Sequence, residues 1–244
     1  MRAWHSMLDL VLPPVCAGCG DPVSRETVLC PACDARLPRL EIDCAAPAPL
    51  AGCTAAVAYR GVAEEWVRRF KHPAAGIAAL DVCALAVARA LILEAAAGAP
   101  GRGPDLVVPV PPHRRSLYAR GFHAAGLLAR TVARARRVPC RPRALVARRE
   151  TPSQTGLHRA DRRRNIRGAF AAHSPLPPRI WVVDDVITTG STLAEAAHQL
   201  HRAGAREVIG VCVAATPAPR DCAASSPRRS AQSPDTGAWR QRVS

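Results

Sequence analysis

Residues 182–192, VVDDVITTGST, place two adjacent aspartates two residues before a loop of small, mostly hydroxylated residues. The apolar run at 180–183 is typical of a strand buried on both faces of a parallel sheet, and 193–203 has the apolar spacing of a helix. The loop at 188–192 would therefore present backbone N–H groups at a helix N-terminus, where a phosphate monoester binds. Since carboxylates repel phosphate, the aspartates are expected to face ribose hydroxyls, directly or through Mg²⁺.

This interpretation assigns two acidic residues to the sugar and five loop residues to the phosphate. They are Asp184 and Asp185, followed by Thr188, Thr189, Gly190, Ser191 and Thr192. Gly190 would let the backbone approach the anion closely, and the four hydroxyls would add donors.

Four cysteines near the amino terminus form a second group with chemical potential, as two C-x2-C pairs separated by ten residues: Cys16, Cys19, Cys30 and Cys33. Each pair can direct two sulfurs at one centre, so the spacing predicts a closed, structural zinc site. Gly18 and Gly20 would permit the tight turn that this site needs. Cys44 and Cys53 lack partners at this spacing and are assigned no metal.

The 244 residues carry a formal charge of +15, and every basic residue except Lys71 is arginine. Because coding composition alone can produce that bias, the charge is weak evidence for nucleic acid, although it suits polyanionic partners. No signal peptide or membrane span is recognisable, which predicts a cytoplasmic protein. A single retained lysine among arginines indicates a site that needs a compact charge, while an ordinary surface lysine is the alternative.

The chain from Cys53 onward alternates strand-like and helical segments, which predicts a doubly wound parallel α/β sheet with ligands at the carboxyl ends of its strands. Strands are predicted at 53–59, 105–110, 144–147, 180–184 and 207–214, and helices at 62–70, 77–97 and 121–137. One loop after a strand end carries Arg114, Arg115 and Arg120, which are well placed for a pyrophosphate, while a basic surface loop is the alternative. The long polar segment 148–170 is expected to close over an anionic substrate.

Taken in order, these features resemble the ComF family of phosphoribosyltransferase-like proteins over residues 10–215. The shared features are the four-cysteine head, Tyr59 with Gly61, Phe70-Lys71, the VPVP run at 108–111, Arg120-Gly121-Phe122, Gln154, Arg162 with Asn165 and Phe170, and the block at 182–192. Where the family continues Arg-Gly-Phe with Asn-Gln, this chain has His123 and Ala124.

The resemblance implies a type I phosphoribosyltransferase fold that binds phosphoribosyl pyrophosphate (PRPP) with Mg²⁺, in a protein of DNA uptake or use. It implies phosphate binding at 188–192, ribose binding by the aspartates, pyrophosphate contact at 110–120 and a lid at 148–165 that includes Gln154, Arg162 and Asn165. Lys71 would contact phosphate or a nucleotide. The expected organisation is a zinc-binding head at 1–50, a phosphoribosyltransferase-like domain at 51–217 and a disordered basic tail at 218–244.

Three functions stay open on the sequence alone: a transferase that displaces pyrophosphate from PRPP, a single-stranded DNA-binding protein that keeps the pocket, and a nucleotide-sensing regulator. No residue identifies itself as a general base. His113, His123 and His158 lie near the loops and are expected on the surface. Other competence proteins are further candidate partners.

Overall fold

A computed structural model of the protein describes residues 13–40, 46–71, 81–112, 117–118, 121–148 and 166–216. These residues divide into two compact units, one ending at Leu37 and the other beginning at Pro38. The smaller unit contains a short helix, α1 (Pro31–Ala35), and an isolated antiparallel bridge between Val15 and Pro22.

The larger unit is built from six strands and four helices within the described ranges. In chain order these are β1 (Gly52–Ala58), α2 (Gly61–Lys71), α3 (Val82–Ala97), β2 (Leu106–Pro109), α4 (Ala124–Arg136), β3 (Leu145–Ala147), β4 (Phe170–Ala172), β5 (Arg179–Ile187), α5 (Ser191–Arg202) and β6 (Glu207–Ala215). Four strands form a sheet in the order β1-β6-β5-β2, and all of its neighbouring pairs are parallel.

Helices cover both faces of this sheet, which explains why its central strands are apolar almost throughout. Leu193 and Leu200 of α5 pack in one core with Val182 of β5. On the other face α3 and α4 contact the strands, and the Arg136 guanidinium lies 4.9 Å from the centre of the Trp181 ring. The predicted doubly wound parallel sheet is therefore confirmed.

Two predictions about the strands were wrong. The segment at 144–147 was expected to join the parallel sheet, but β3 instead pairs antiparallel with β4, with Leu145 opposite Ala172, in a separate two-stranded sheet. The strand expected to end at Asp184 continues to Ile187, because its later residues still pair with β6. The two aspartates thus lie within β5 and not in the loop after it.

Helix α3 begins later than the apolar pattern suggested, because a capping residue fixes its start. The Asp81 carboxylate accepts a hydrogen bond from the Ala84 amide at 2.9 Å and another from Arg69 Nε at 2.9 Å. This residue both caps α3 and ties it to α2. Within the described ranges no helix has the length and apolar character needed to cross a bilayer.

Candidate functional site

The two aspartates lie where the sheet opens beyond the end of β2. The Val110 amide makes a last bond to the Val183 carbonyl at 2.9 Å, after which β5 continues beside β6 alone. Each carboxylate accepts a hydrogen bond from the next amide: Asp185 N to Asp184 Oδ1 at 2.9 Å, and Val186 N to Asp185 Oδ1 at 2.7 Å. These bonds hold both acidic groups at the carboxyl end of the sheet.

A pocket of about 130 Å³ adjoins these carboxylates. Its walls are the chain after β2, the start of α4 and the two aspartates themselves; the residues that contribute include Val110, Pro111, Phe122, His123, Asp184 and Asp185. Prolines directly after β2 fix an extended exit from the sheet. A cavity therefore lies at the carboxyl ends of β2 and β5, the part of the sheet where the sequence predicted ligand binding.

Lys71 is the last residue of α2 and reaches the same pair of acids. Its Nζ lies 2.9 Å from Asp185 Oδ1, and only 23% of the lysine side chain and 11% of the aspartate side chain are exposed. The preceding residue, Phe70, is fully buried and contacts the Phe122 ring at a centroid distance of 6.0 Å. The contact between the two rings fixes the end of α2 and thereby aims the lysine at the carboxylates.

The three charges shift one another's pKa. Burial and the neighbouring negative charge of Asp185 raise the pKa of Asp184 to about 8, although Lys71 partly offsets them. Burial by itself would lower the pKa of Lys71, but the two carboxylates outweigh it and raise that pKa. Burial and the adjacent charge therefore favour the protonated form of Asp184 in the free site, and a cation bound there would favour its ionised form.

The loop between β5 and α5 is short and shaped by one glycine. Gly190 has φ +72° and is the N-cap of α5, so Ser191 and Thr192, expected in the loop, lie in the first turn of the helix. Thr189 Oγ1 is 2.9 Å from Ser191 Oγ. Within the described residues neither the Thr189 nor the Gly190 amide pairs with a backbone carbonyl. Both amides are thus available to an anion at the helix N-terminus.

Pro47 packs against this loop, a contact that the sequence did not suggest. A Cβ at Gly190 would lie 2.5 Å from Pro47 Cγ. Glycine is required here by the left-handed backbone and by this close approach.

His123 was expected on the surface, and the structure shows it half-buried in the pocket wall. Its Nε2–H donates to the Val110 carbonyl at 2.9 Å, and burial lowers the pKa of the ring so that the neutral form is favoured. A Cβ at residue 126 would lie only 2.6 Å from His123 Nδ1, so Gly126 makes room for the imidazole. The glycine three residues after the histidine was the sequence signal for this packing.

The other sequence-predicted site residues lie outside the described part of the chain. These are Arg114, Arg115, Arg120, Gln154, Arg162 and Asn165, together with His113 and His158. The structure therefore brings together Lys71, the two aspartates and the 188–192 loop on one edge of the larger unit.

The four predicted zinc ligands converge in the smaller unit. The sulfurs of Cys16, Cys19, Cys30 and Cys33 all lie within 4.8 Å of one another. The amides of Gly18 and Cys30 donate to Cys16 Sγ at 3.3 and 3.2 Å. Burial opposes ionisation of Cys16, but backbone N–H groups outweigh it and lower the pKa of this thiol to about 6. Four converging sulfurs with amide donors fit a tetrahedral Zn²⁺.

Gly18 has a spatial reason to be a glycine. A Cβ there would lie 2.7 Å from Cys33 Sγ, inside the metal site. Gly20, at φ +82°, supplies the predicted tight turn.

Comparisons with known protein families agree with the cysteine site in the smaller unit and with the parallel α/β sheet of the larger unit. Residues 7–52 match the family described as "Double zinc ribbon domain", and residues 121–234 match "Phosphoribosyl transferase domain". The zinc match and the cysteine cluster together confirm the predicted structural zinc site.

Two curated proteins illustrate the relatives. The "DNA utilization protein YhgH" of Escherichia coli (strain K12) is 29% identical over 210 residues, covering 83% of this chain and 90% of that protein. The "Competence protein F" of Haemophilus influenzae is 35% identical over 109 residues, covering 43% of this chain and 48% of that protein.

Solved structures with a similar arrangement include two phosphoribosyltransferases. The orotate phosphoribosyltransferase from Aeropyrum pernix is 20% identical, with 55% of this chain and 73% of that chain covered and a TM-score of 0.32. The purine phosphoribosyltransferase from Pyrococcus horikoshii is 21% identical, with 47% and 62% covered and a TM-score of 0.28.

Proposed function

This chain belongs to the ComF family of phosphoribosyltransferase-like proteins, and we propose that it binds PRPP with Mg²⁺ and acts in the use of DNA. The observation that carries the proposal is the meeting of two carboxylates, Asp184 and Asp185, with the Gly190 loop at the N-terminus of α5. Sugar and phosphate ligands need these two environments side by side.

The loop is suited to the 5′-phosphate of PRPP. The Thr189 and Gly190 amides make no backbone pair within the described residues, and the positive end of α5 lies behind them. Hydroxyls of Thr188, Thr189, Ser191 and Thr192 would add donors around the same phosphate. Because these groups are neutral dipoles, they bind the anion without requiring a basic side chain in the loop.

The aspartates are suited to the ribose hydroxyls, which would donate to the carboxylate oxygens. Lys71 has a specific task in this arrangement, because it neutralises Asp185 at 2.9 Å and so reduces the repulsion that a polyanionic substrate would meet. The same carboxylates could hold Mg²⁺, which would supply charge neutralisation for the leaving pyrophosphate. Oxygen ligands at the pocket edge fit this ion.

We propose that two further segments contact the pyrophosphate and cover the ligand. Arg114, Arg115 and Arg120 follow the pocket wall at 110–112 and would meet the pyrophosphate with planar donor forks. The segment 148–165, with Gln154, Arg162 and Asn165, would close over the ligand and exclude water. Transfer would then displace pyrophosphate from the anomeric carbon, with these arginines stabilising the charge that develops on it.

We prefer this function to that of a dedicated single-stranded DNA binder. Such proteins stack bases on exposed aromatic side chains. Among the described residues Tyr118 is the one strongly exposed aromatic side chain, at 87%. Similarity to a DNA utilization protein and a competence protein supports a role in DNA use instead.

Calorimetric titration of the zinc-loaded protein with PRPP and Mg²⁺ tests the proposal. We expect binding that Asp184→Asn with Asp185→Asn weakens by about 100-fold, equivalent to about 2.7 kcal/mol. Glu64→Gln, an exposed change on α2, is the matched control and should leave binding unaltered. Failure of PRPP to bind, or equal binding by the double variant, would refute the proposed site.

The enzymatic step has its own test. Pyrophosphate release from PRPP, screened over amines and nucleobases as acceptors, should require Mg²⁺ and disappear in the double aspartate variant. Release that persists in that variant would contradict the assignment of the two carboxylates.

A further inference from the structure

A second cavity, of about 860 Å³, lies beside the amino-terminal residues of β2. Its wall includes Arg141, whose amide donates to the carbonyl of Val107 at 3.1 Å, near the start of β2. The aspartate pocket begins at Val110, beyond the end of the same strand. The two cavities share no lining residue.

Three arginines give this cavity its charge. Arg130, Arg141 and Arg143 all line it and are all exposed, and within the described residues no carboxylate pairs with any of them. His173 and the Ser174 hydroxyl add further donors to the same wall. Guanidiniums that line one cavity without a carboxylate partner favour a ligand with phosphate groups.

The rest of the lining is apolar. Pro142, Ala144, Pro175 and Leu176 contribute hydrocarbon surface next to the arginines. An inorganic anion would leave this surface unused, whereas a ligand with a flat ring would cover it. The volume also falls in the range of small-molecule sites.

Backbone hydrogen bonds hold this wall in place. The His173 amide donates to the Ala144 carbonyl at 2.9 Å, and the Leu176 amide donates to the Ala203 carbonyl at 3.1 Å. The apolar wall is thereby tied to β3 and to the end of α5. A wall fixed in this way needs little ordering when a ligand binds.

We propose that this basic pocket, formed by Arg130, Arg141, Arg143 and the apolar wall beside them, binds a nucleoside phosphate. The guanidiniums hold the phosphates, and the prolines and Leu176 contact the base. The site is separate from the PRPP pocket and does not depend on it. Helix α4 reaches both, since His123 at its N-cap lines one cavity and Arg130, about two turns later, lines the other.

Adenosine triphosphate and inorganic tripolyphosphate are the probes, titrated calorimetrically into the full zinc-loaded chain without divalent cations. Arg141→Ala with Arg143→Ala should weaken adenosine triphosphate binding by about tenfold or more. Arg134→Ala, an exposed position on the same helix as Arg130 but outside the cavity, is the matched control and should leave binding intact. Asp184→Asn with Asp185→Asn should also leave it intact.

The outcomes separate the alternatives. Equal binding by the arginine variant, or loss of binding in the aspartate variant, overturns the site. Tripolyphosphate that binds as tightly as adenosine triphosphate overturns recognition of the nucleoside. An oligothymidine strand that binds far more tightly than adenosine triphosphate, and loses affinity in the same arginine variant, overturns the nucleotide in favour of a nucleic-acid strand.

Thiol labelling locates the ligand without any substitution. Cys140 lines the cavity, whereas Cys83 on α3 does not, and both are half-buried. Burial raises the pKa of the Cys140 thiol, so alkylation is followed at mildly alkaline pH. Adenosine triphosphate should slow alkylation of Cys140 about tenfold, the protection expected near 90% occupancy, and leave Cys83 unaffected. Equal rates at Cys140 with and without the nucleotide would contradict the proposal.

Discussion

Replacing Lys71 with methionine should destabilise the larger unit, because it removes the cation beside two adjacent carboxylates. Lys71 Nζ lies 2.9 Å from Asp185 Oδ1, and the lysine also opposes the raised pKa of Asp184. Methionine keeps most of the volume of the side chain and removes its charge. The variant therefore leaves the acidic pair without compensation while preserving the packing around Phe70.

The loss of unfolding free energy in Lys71→Met follows from the burial of the ion pair between Lys71 and Asp185. Removing one partner of a fully buried ion pair costs about 3–5 kcal/mol. Here the side chains are 23% and 11% exposed, so water recovers part of that cost, and we expect about 2–3 kcal/mol. With a urea dependence of about 2 kcal/mol per molar, the unfolding midpoint should fall by about 1 M.

Urea unfolding at pH 9, followed by the fluorescence of Trp66 and Trp181, measures this shift. Arg68→Met, an exposed change on the same helix, controls for the loss of one positive charge and should leave the midpoint almost unaltered. Adding Asp185→Asn to the Lys71 variant should restore most of the lost stability, because one of the two unpaired charges is removed. A midpoint for Lys71→Met equal to that of Arg68→Met would refute the argument.

Three further outcomes are expected. Gly18→Ala should weaken zinc binding by about tenfold in competition with a chromogenic chelator, since the new Cβ would lie 2.7 Å from Cys33 Sγ. Gly20→Ala meets no atom within 4 Å and should weaken zinc binding only through the backbone strain of its φ of +82°. Gly190→Ala should lower the unfolding temperature, because its φ of +72° strains an alanine and its new Cβ would clash with Pro47. Adding Pro47→Ala should relieve the clash but not the backbone strain, so full recovery of the unfolding temperature would contradict this account. The folded pKa of Asp184, about 8, lies above its ordinary 3.8, so the contribution of its protonated form to stability is present below pH 4 and is lost as pH rises to about 8. The unfolding free energy of the wild type relative to Asp184→Asn should therefore fall between pH 4 and pH 8. An unfolding free-energy difference that stays constant over this range would show that the pKa is not raised.

The sequence predicted the parallel sheet because strands buried on both faces have continuous apolar runs. It mispredicted the region around β3, where a run of three residues carries too little pattern to identify its partner strand. Whether Leu145 pairs with a neighbour in the main sheet or with Ala172 depends on a segment far along the chain. Helix boundaries were similarly limited, since Asp81 fixes the start of α3 through its own hydrogen bonds.

The features of the candidate site that the sequence predicted are likewise those that involve residues close together in the chain. The order of strand, acidic pair, Gly190 and helix was legible because each part acts on its neighbours in the chain. The role given to Lys71 was not fully legible: its rarity marked it, but its contact with Asp185 joins the end of α2 to β5. The partial burial of His123 was not legible for the same reason, because its partner is the carbonyl of Val110.

By itself the sequence determined the zinc ligands, the small-residue loop that we propose binds phosphate, and the apolar strands and helices, because spacing over a few residues fixes those features locally. The tertiary structure decided which distant groups meet: Lys71 with Asp185, Pro47 with Gly190, and Arg130 with Arg141 and Arg143 around one cavity. Such contacts depend on how the helices pack on the sheet, and packing is set by the summed burial of many residues rather than by the spacing of any few.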